Sequence, residues 1–594
     1  MREPHHTVIV GGVAGGMSAA TRLRRRDEHA RITVIEKSGH VSFANCGLPY
    51  YIGGVIRGRE QLLLQTPESL HRRFNLDVLV NTEVTALHAD AHEVEVVDRT
   101  TGRRRTVRYD SLLLAPGAAP FVPEIPGIGR ALVLRTVEDT DRIHAEVSSL
   151  PHGAPVVVAG GGFIGIEVAE NLVHRGLEVT VVEHGNQIMG PLDPEMASIV
   201  EQHLRDHGVR VLTSAGVTAV GADDVTLEDG TSLPAAAVIM AAGVRPATAF
   251  AVEAGLETLP GGALVVDRHW CTSAPDVYAV GDAVAAPDFL TGDPVVVPLA
   301  QTANRDGRYV ADIIADQTAG QTAGAEDVAG SAGAPGAGRS RSREMPDTFG
   351  TSVMGVFGLQ VASTGWSQKK LVAAGVPHRV IATHPSDHAG YYPGSQTLSV
   401  KMTVGSGAFR GEDLTDRILG AQIVGGAGAD KRIDVIATAM QSGRSAPDLA
   451  DLELAYAPQF GSAKDPVNML GYVADNLRTG RTELVTWEDV DKIVTGTAPE
   501  DLTDAVLVDV RTPGEFASGS VPSAVNIPLD ELRGRLDELR ELSEGTQGPR
   551  PTVVFCQVGQ RGHVAESLLR GEGFTRVYNL TGGYRTWSDG QRSR

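Results

Sequence analysis

The segment Val8-Ile9-Val10-Gly11-Gly12-Val13-Ala14-Gly15-Gly16 limits what this chain can become more than any other. A short apolar run that breaks on glycines and continues with helical periodicity is βαβ punctuation, a strand turning sharply into a helix. The first amides of such a helix can face an anion, and glycine lets the backbone approach it closely. The middle fingerprint position is Val13 rather than glycine, so by itself this loop also reads as a plain glycine-rich turn. A second strand, Ile32-Thr33-Val34-Ile35, ends in Glu36 about 20 residues on, where a carboxylate can accept from ribose hydroxyls. The pattern then repeats. Gly160-Gly161-Gly162-Phe163-Ile164-Gly165 meets the fingerprint in full, and the strand expected at 179–182 ends in Glu183. A carboxylate there repels the 2′-phosphate of NADPH and favours NADH. Two dinucleotide folds in one chain point to FAD and NADH held side by side, since hydride transfer needs their rings in contact.

The 594 residues leave room for about three to five domains. With 53 Lys and Arg against 73 Asp and Glu, the net charge of −20 opposes a polyphosphate backbone, so no nucleic-acid partner is expected. No stretch approaches about 18 uncharged apolar residues, so no membrane span is expected. The N-terminus superficially imitates a signal peptide, but its apolar run at 7–10 is too short and residues 22–26 are basic where a cleavage site belongs. The expected location is cytoplasmic. The three cysteines, Cys46, Cys271 and Cys556, are too few and too far apart for a disulfide framework or a metal centre. Each acts singly, in keeping with a reducing compartment, and no metal ligand set is expected.

The order of the Gly11 loop, Glu36, Ala115-Pro116-Gly117, the Gly160 loop, Ala242-Gly243-Val244-Arg245-Pro246 and Tyr278-Ala279-Val280-Gly281-Asp282 resembles the pyridine nucleotide–disulfide oxidoreductases over residues 7–471. The resemblance implies FAD at Gly11, Val13, Ala14, Gly16, Glu36, Gly117 and Asp282, and NADH at Gly160, Gly162, Gly165, Glu183 and Gly243. It implies that Asp282 bonds the FAD ribityl chain, although an aspartate in that position also serves as an ordinary turn cap. A helix expected over 297–314 would aim its N-terminus at the flavin pyrimidine.

Ser42-Phe43-Ala44-Asn45-Cys46-Gly47-Leu48-Pro49-Tyr50 holds one cysteine where dithiol reductases of this family carry two. Without a resolving thiol nearby, Cys46 must cycle between thiolate and mixed disulfide, persulfide or sulfenate. An inert buried cysteine is the alternative, but Asn45, Gly47 and Pro49 argue for an exposed loop. The segment resembles the coenzyme A disulfide reductase and NADH-dependent persulfide reductase branch, in which this cysteine lies against the flavin. The NADH oxidase branch typically places a histidine where this chain has Ala14, which favours a sulfur substrate. Tyr456-Ala457-Pro458-Gln459-Phe460 and Lys464-Asp465-Pro466-Val467-Asn468-Met469 resemble a family segment that reaches the partner's active site. By that resemblance Tyr456 donates to the sulfur or flavin and Lys464 meets a coenzyme A phosphate, and Tyr391-Tyr392 offers a second phenol, with Tyr392 the expected one; ordinary packing is the alternative for each tyrosine. Ser18, Arg22, Arg25, Ser42 and Asn45 match positions lining the coenzyme A channel, although basic residues on a helix face are commonly just solvated. Asn304 replaces a histidine common in relatives, which leaves that substrate contact open.

Val506-Leu507-Val508-Asp509-Val510-Arg511, Glu515-Phe516 and Asn526-Ile527-Pro528-Leu529 resemble the opening of a rhodanese domain. A strand expected at 552–555 runs into Cys556-Gln557-Val558-Gly559-Gln560-Arg561-Gly562 and then a helix. Amides converging on a cysteine there lower its pKa and stabilise a persulfide, and Arg561 adds positive charge. A cysteine phosphatase shares this geometry, but Asp509-Val510-Arg511 favours rhodanese. Gly519-Ser520 departs from the family's usual Gly-His, a change of local packing more than of chemistry. Cys271 receives no role.

The expected fold class is α/β, with two Rossmann-like dinucleotide-binding domains, an α+β dimerisation domain and a C-terminal α/β rhodanese domain. The expected boundaries are 1–120 with 250–316 for FAD, 121–249 for NAD, 317–347 for a flexible Ala/Gly-rich insertion, 348–476 for dimerisation, 477–500 for a linker and 501–594 for rhodanese. The expected protein is a homodimeric NADH-dependent reductase of persulfides, polysulfides or coenzyme A persulfide, using Cys46, Cys556, Tyr456, Tyr392 and Arg561. Alternatives are a coenzyme A disulfide reductase with an accessory rhodanese domain, an NADH oxidase, and a non-enzymatic sulfur carrier or redox sensor.

Overall fold

A computed structural model describes residues 4–322, 343–545 and 548–594. The chain divides into two compact units, residues 1–184 with 215–348 and residues 185–214 with 349–594.

The first unit contains two parallel sheets. One orders its strands Val277–Ala279, Ser111–Leu114, His6–Val10, Arg31–Ile35 and Asp77–Leu79. His6–Val10 and Ser111–Leu114 are buried at every position, as expected of parallel strands covered on both faces. The other sheet orders Glu178–Val182, Pro155–Ala159, Ala237–Met240 and Leu132–Val133. Helix Ala14–Arg26 packs on helix Ala300–Thr322. Glycine permits their close crossing, because a Cβ on Gly307 would stand 2.1 Å from the Gly15 carbonyl oxygen.

That second helix begins three residues later than expected and continues into the first residues of the expected insertion. Residues 323–342 of the insertion lie outside the described residues. Beyond them Met345 is buried in the core of the first sheet, its N–H donates to the Arg268 carbonyl at 2.7 Å, and Asp347 pairs with Arg268 at 2.6 Å. The last residues assigned to the insertion therefore pack as part of the first unit.

In the second unit an antiparallel sheet orders Ser352–Val356, Leu359–Gly365, Ile418–Gly425, Leu398–Gly405 and His378–Thr383. Ile418–Gly425 and Leu398–Gly405 are buried throughout. One of those buried residues is Lys401, whose ammonium meets Asp193 at 3.0 Å, donates to Gln368 at 2.7 Å and pairs with Glu195. Asp193 also accepts from Gln422 Nε2 at 2.7 Å and the Lys369 amide at 2.9 Å. Through this network residues 185–214, expected within the NAD-binding domain, group with the second unit.

The last sheet is parallel, in the order Leu484–Val485, Val577–Leu580, Thr552–Phe555, Val506–Asp509 and Val525–Asn526. The stretch expected as a linker supplies its edge strand and the helix Trp487–Thr495, started by a capping box between Thr486 and Asp489. Trp487 and Val490 are buried in the same core as Trp587, so this segment is part of the rhodanese fold and the linker expectation is corrected. Thr581 Oγ1 accepts from the Ala382 amide at 2.7 Å and donates to the Ala382 carbonyl at 3.3 Å. His384 Nε2 lies 2.7 Å from Thr586 Oγ1, and burial pushes its pKa down to about 3, so the ring bonds as a neutral imidazole.

Replacing Lys401 by Met leaves Asp193 and Glu195 buried without their cation, a change that costs about 3–5 kcal/mol. The expected outcome is a lower urea midpoint for the second unit; an unchanged midpoint would show that the ammonium does not hold residues 185–214 in place.

Candidate active site

Both glycine loops are built by backbone contact. Gly11 has φ +101°, and a Cβ there would stand 2.0 Å from the Ala115 carbonyl oxygen; one on Gly16 would stand 1.9 Å from the Gly11 oxygen. Gly160, at φ +122°, meets the Ala241 oxygen at 2.2 Å in the same way, and Gly165 meets the Gly160 oxygen at 2.0 Å. The two expected ribose carboxylates first brace these loops. Glu36 accepts from the Gly12 amide at 2.8 Å and the Ser38 amide at 2.9 Å, and Glu183 accepts from the Gly161 amide at 2.7 Å. Burial raises the Glu36 carboxyl above its ordinary value despite these amides.

The positions Gly162 and Gly243 face open space, with nothing within 4 Å of a would-be Cβ. Val13 is the N-cap of the helix that begins at Ala14. Gly117, at φ +70°, lies against the Arg135 guanidinium, which reaches Asp282 at 3.4 Å in the turn Gly281–Ala283. These cradles fit two dinucleotides: Gly11, Val13, Ala14, Gly16, Glu36, Gly117 and Asp282 could hold FAD, and Gly160, Gly162, Gly165, Glu183 and Gly243 could hold a nicotinamide dinucleotide.

Cys46 sits in the 3-10 turn Asn45–Gly47, ahead of helix Leu48–Ile52. The turn hangs on the first glycine loop, since the Ser42 amide donates to the Gly12 carbonyl at 2.8 Å, and it is pinned by a Phe43–Leu63 bridge. Cys46 is exposed, which sets aside the inert buried reading. Its thiol is nevertheless held above the usual cysteine value, first by partial withdrawal of the sulfur from water and then by Glu167; Arg135 acts in the opposite direction. Tyr50 donates to Glu167 Oε1 at 3.4 Å, and burial raises the Glu167 carboxyl to about 7. Arg135, Tyr50 and Glu167 were not anticipated. The available signals were Tyr50 one helical turn beyond Cys46 and Glu167 one turn beyond Phe163, where the second loop enters its helix.

Of the expected channel residues, Ser18 donates to Asn304 Oδ1 at 2.6 Å and Arg22 makes two bonds to Asp312 at 2.8 and 3.1 Å. Arg25 is exposed, and Ser42 and Asn45 flank Cys46 in sequence, both half-buried.

In the second unit the Tyr456 hydroxyl meets that of Tyr391 at 2.8 Å. The second phenol beside Tyr456 is therefore Tyr391; Tyr392 packs edge-on against His388, with centroids 5.7 Å apart. Tyr391 is 78% exposed, Tyr456 47% and Phe460 70%, and Lys464 is also exposed. Lys464 precedes Asp465, which caps helix Pro466–Arg478 and pairs with buried Arg432.

The other thiol, Cys556, is buried where strand Thr552–Phe555 meets the loop into helix Gln560–Gly571. Its carbonyl accepts from the Tyr584 amide at 2.8 Å, and that of Gln557 from the Arg585 amide at 3.1 Å. Arg511 bonds Asp509 and the Gln557 side chain, and lies 4.2 Å over the Tyr584 ring. Ser520 bonds Asp509 Oδ2 at 2.7 Å, so it takes part in the same polar support. Arg561 reaches Cys556 and makes two bonds to Glu515, at 2.8 and 2.6 Å. The pair holds the Glu515 carboxyl down to about 2. Arg561 thus brings a shared charge, which the reading of an added positive charge did not include; the Thr512-x-x-Glu515 capping box was the available sign of Glu515. Cys271 is half-buried, with its thiol pushed up to about 11 by burial and Asp267.

Residues 5–307 match the pyridine nucleotide-disulphide oxidoreductase family, 351–466 its dimerisation domain and 497–589 the rhodanese-like domain. The chain belongs to the pyridine nucleotide-disulphide oxidoreductases. This oxidoreductase is 31% identical over 472 residues to the coenzyme A disulfide reductase of Staphylococcus haemolyticus, covering 79% of this chain and 99% of the relative. It resembles the solved structure of reduced Bacillus anthracis CoADR-RHD, with TM-score 0.89, 40% identity, and 100% and 99% of the two chains covered. For the NAD-dependent persulfide reductase from A. fulgidus the TM-score is 0.83 at 33% identity, covering 98% and 100%. Water-forming NADH oxidase from Lactobacillus brevis shares the fold at 22% identity, with TM-score 0.71 and 80% of this chain and 99% of that chain covered.

In this oxidoreductase, Arg561→Met removes the guanidinium beside Cys556 while keeping side-chain bulk. Iodoacetamide modification of Cys556 is expected to slow severalfold, because a cation beside the sulfur favours the thiolate that alkylates. An unchanged rate would mean that the guanidinium does not govern the thiolate.

Proposed function

We propose that this oxidoreductase uses NADH to cleave the S–S bond of low-molecular-weight persulfides and polysulfides, coenzyme A persulfide foremost, at Cys46. Cys556 relays sulfane sulfur. The observation carrying this reading is a lone exposed cysteine beside a dinucleotide cradle, fused to a second cysteine in a strand-to-helix loop. When bound, FAD supplies the path by which electrons from NADH reach sulfur.

Cys46 acts as the nucleophile. Its thiolate attacks one sulfur of the substrate, forms a mixed disulfide or a protein persulfide, and expels the other sulfur as thiolate or hydrosulfide. Arg135 stabilises negative charge at this sulfur. Ser18, Arg22, Arg25, Ser42 and Asn45 bind the coenzyme A portion, and in a homodimer Lys464 would meet a coenzyme A phosphate and Tyr456 would donate a hydrogen bond to sulfur at the partner's site. The exposed Tyr391, Tyr456 and Phe460 side chains support a homodimer, since aromatic groups of this kind are enriched at interfaces. Glu183 supports NADH over NADPH. Among the described residues no helix is long and apolar enough to cross a membrane, and the reading of three free thiols favours a cytoplasmic setting.

A second reading, a coenzyme A disulfide reductase with an accessory rhodanese domain, uses the same Cys46 step and is favoured by the staphylococcal relatives' names. Anaerobic turnover of coenzyme A persulfide, polysulfide and coenzyme A disulfide by the wild type, Cys46→Ser and Cys556→Ser separates the two. Cys46→Ser is expected to abolish turnover of all three substrates. Cys556→Ser is expected to slow sulfane-sulfur transfer and spare the disulfide. Full persulfide rates in Cys556→Ser would remove the relay, and turnover of the disulfide alone would establish the second reading. Glu183→Ala is expected to narrow the preference for NADH, read from kcat/KM with each nucleotide.

A further inference from the structure

Glu138 is the second residue of helix Val137–Ser149, which follows the edge strand Leu132–Val133 of the second parallel sheet. A capping box between Thr136 and Asp139 already closes the end of this helix. The Glu138 carboxylate reaches the first dinucleotide fold. Ser38 Oγ donates to its two oxygens at 2.9 and 3.0 Å, and the Gly39 amide donates to Oε1 at 2.8 Å. Glycine suits this approach, because a Cβ on residue 39 would stand 3.2 Å from Oε1. Against burial, the amides of Glu138 itself and Gly39 and the hydroxyls of Ser38 and Thr136 hold the carboxyl below its ordinary value, so it accepts as an anion.

The same turn supports the carboxylate expected at the FAD ribose. The Ser38 amide donates to Glu36 Oε1 at 2.9 Å, while the Gly12 amide holds Oε2 at 2.8 Å. From the neighbouring segment the Asn81 amide donates to the Ser38 carbonyl and the Thr82 amide to the Glu36 carbonyl, both at 2.9 Å. Glu36, Ser38 and Glu138 thus form one chain of hydrogen bonds that joins the two dinucleotide folds of the first unit.

We propose that Glu138 is a positioning residue for FAD: by fixing Ser38 and Gly39 it sets the Glu36 carboxylate at the ribose. The inference rests on Glu36 serving that ribose and is independent of the sulfur substrate. Two further contacts of the helix hold it to the first fold elsewhere. Asp141 accepts two bonds from Arg59 at 2.8 and 2.7 Å, and His144 stacks on Tyr51 with ring centroids 4.8 Å apart. Residues 138, 141 and 144 share a face at three-residue spacing, so the helix keeps two anchors when the Glu138 contact is removed. Charge alone would act in the opposite sense. Burial raises the Glu36 carboxyl first, and the Glu138 charge adds to that push; removing it would favour ionised Glu36, the stronger acceptor.

The test is FAD release from the full-length holoenzyme into potassium bromide, followed as a rise in flavin fluorescence. Glu138→Leu removes both acceptor oxygens and is expected to release FAD about fivefold faster, the net contribution of one hydrogen bond. Glu138→Gln keeps an oxygen for the Gly39 amide and should fall between Glu138→Leu and the wild type. Asp141→Asn should release FAD at the wild-type rate. Adding Glu138→Leu to Glu36→Gln should change little, because both act on one contact; general loosening of the fold would add in full. Unchanged or slower release from Glu138→Leu would overturn the proposal, as would full additivity with Glu36→Gln or an equal acceleration in Asp141→Asn. Should Glu138→Leu fail to fold, Ser38→Ala, which lacks the hydroxyl that Glu138 receives, decides in the same way. Wild-type release from Glu36→Gln alone would overturn the ribose assignment and the proposal with it. Flavin release involves no sulfur substrate, so each of these failures leaves persulfide reduction standing.

Discussion

Where each glycine loop passes the end of the neighbouring strand, there is no room for a Cβ. Gly11 against Ala115 and Gly16 against Gly11 fix the start of helix Ala14–Arg26 at the strand end, and Gly160 with Gly165 does the same in the second fold. Much of the first unit is registered on these crossings. The Gly12 carbonyl receives the Ser42 amide and thereby positions the turn that carries Cys46. The Gly15–Gly307 approach seats helix Ala300–Thr322, which then holds Ser18 through Asn304 and Arg22 through Asp312. Cys46, Ser18 and Arg22 are set by the same few backbone contacts.

The two sulfur centres solve their electrostatics differently. At Cys46 the thiol is disfavoured as an anion first by partial withdrawal of the sulfur from water and then by Glu167 and Asp282, with Arg135 acting in the opposite direction. Cys556 is buried, with its own carbonyl and that of Gln557 tied to Tyr584 and Arg585, and its neighbouring cation is already answered by Glu515.

Local patterns made a good part of this legible in the sequence. The glycine loops, the acids ending their second strands, the single cysteine in its turn and the rhodanese loop each carry spacing that chemistry demands, and each appears where expected. Strands Leu359–Gly365 and Ile418–Gly425 were not anticipated, because glycines and polar residues such as Gln360 and Gln422 interrupt the apolar alternation on which strand recognition depends. The stretch 477–500 reads as charged and turn-rich, yet Trp487 and Val490 are enough to bury one face of a short helix. Partnerships across long sequence separation left no local trace: Glu167 with Tyr50, Arg561 with Glu515, and Tyr391 rather than Tyr392 beside Tyr456. Adjacent tyrosines in a turn cannot be told apart by pattern.

The contact between Thr581 and Ala382 bears on how such chains can be taken apart. A cut at residue 497, where the rhodanese-like match begins, would leave helix Trp487–Thr495 behind with its tryptophan uncovered. A cut after residue 476 would strip the Ala382 amide and carbonyl of their partner and open the surroundings of His384. The domains are modular as stretches of sequence and continuous as packed matter, so a truncated chain is a different object from the intact one with a silent cysteine.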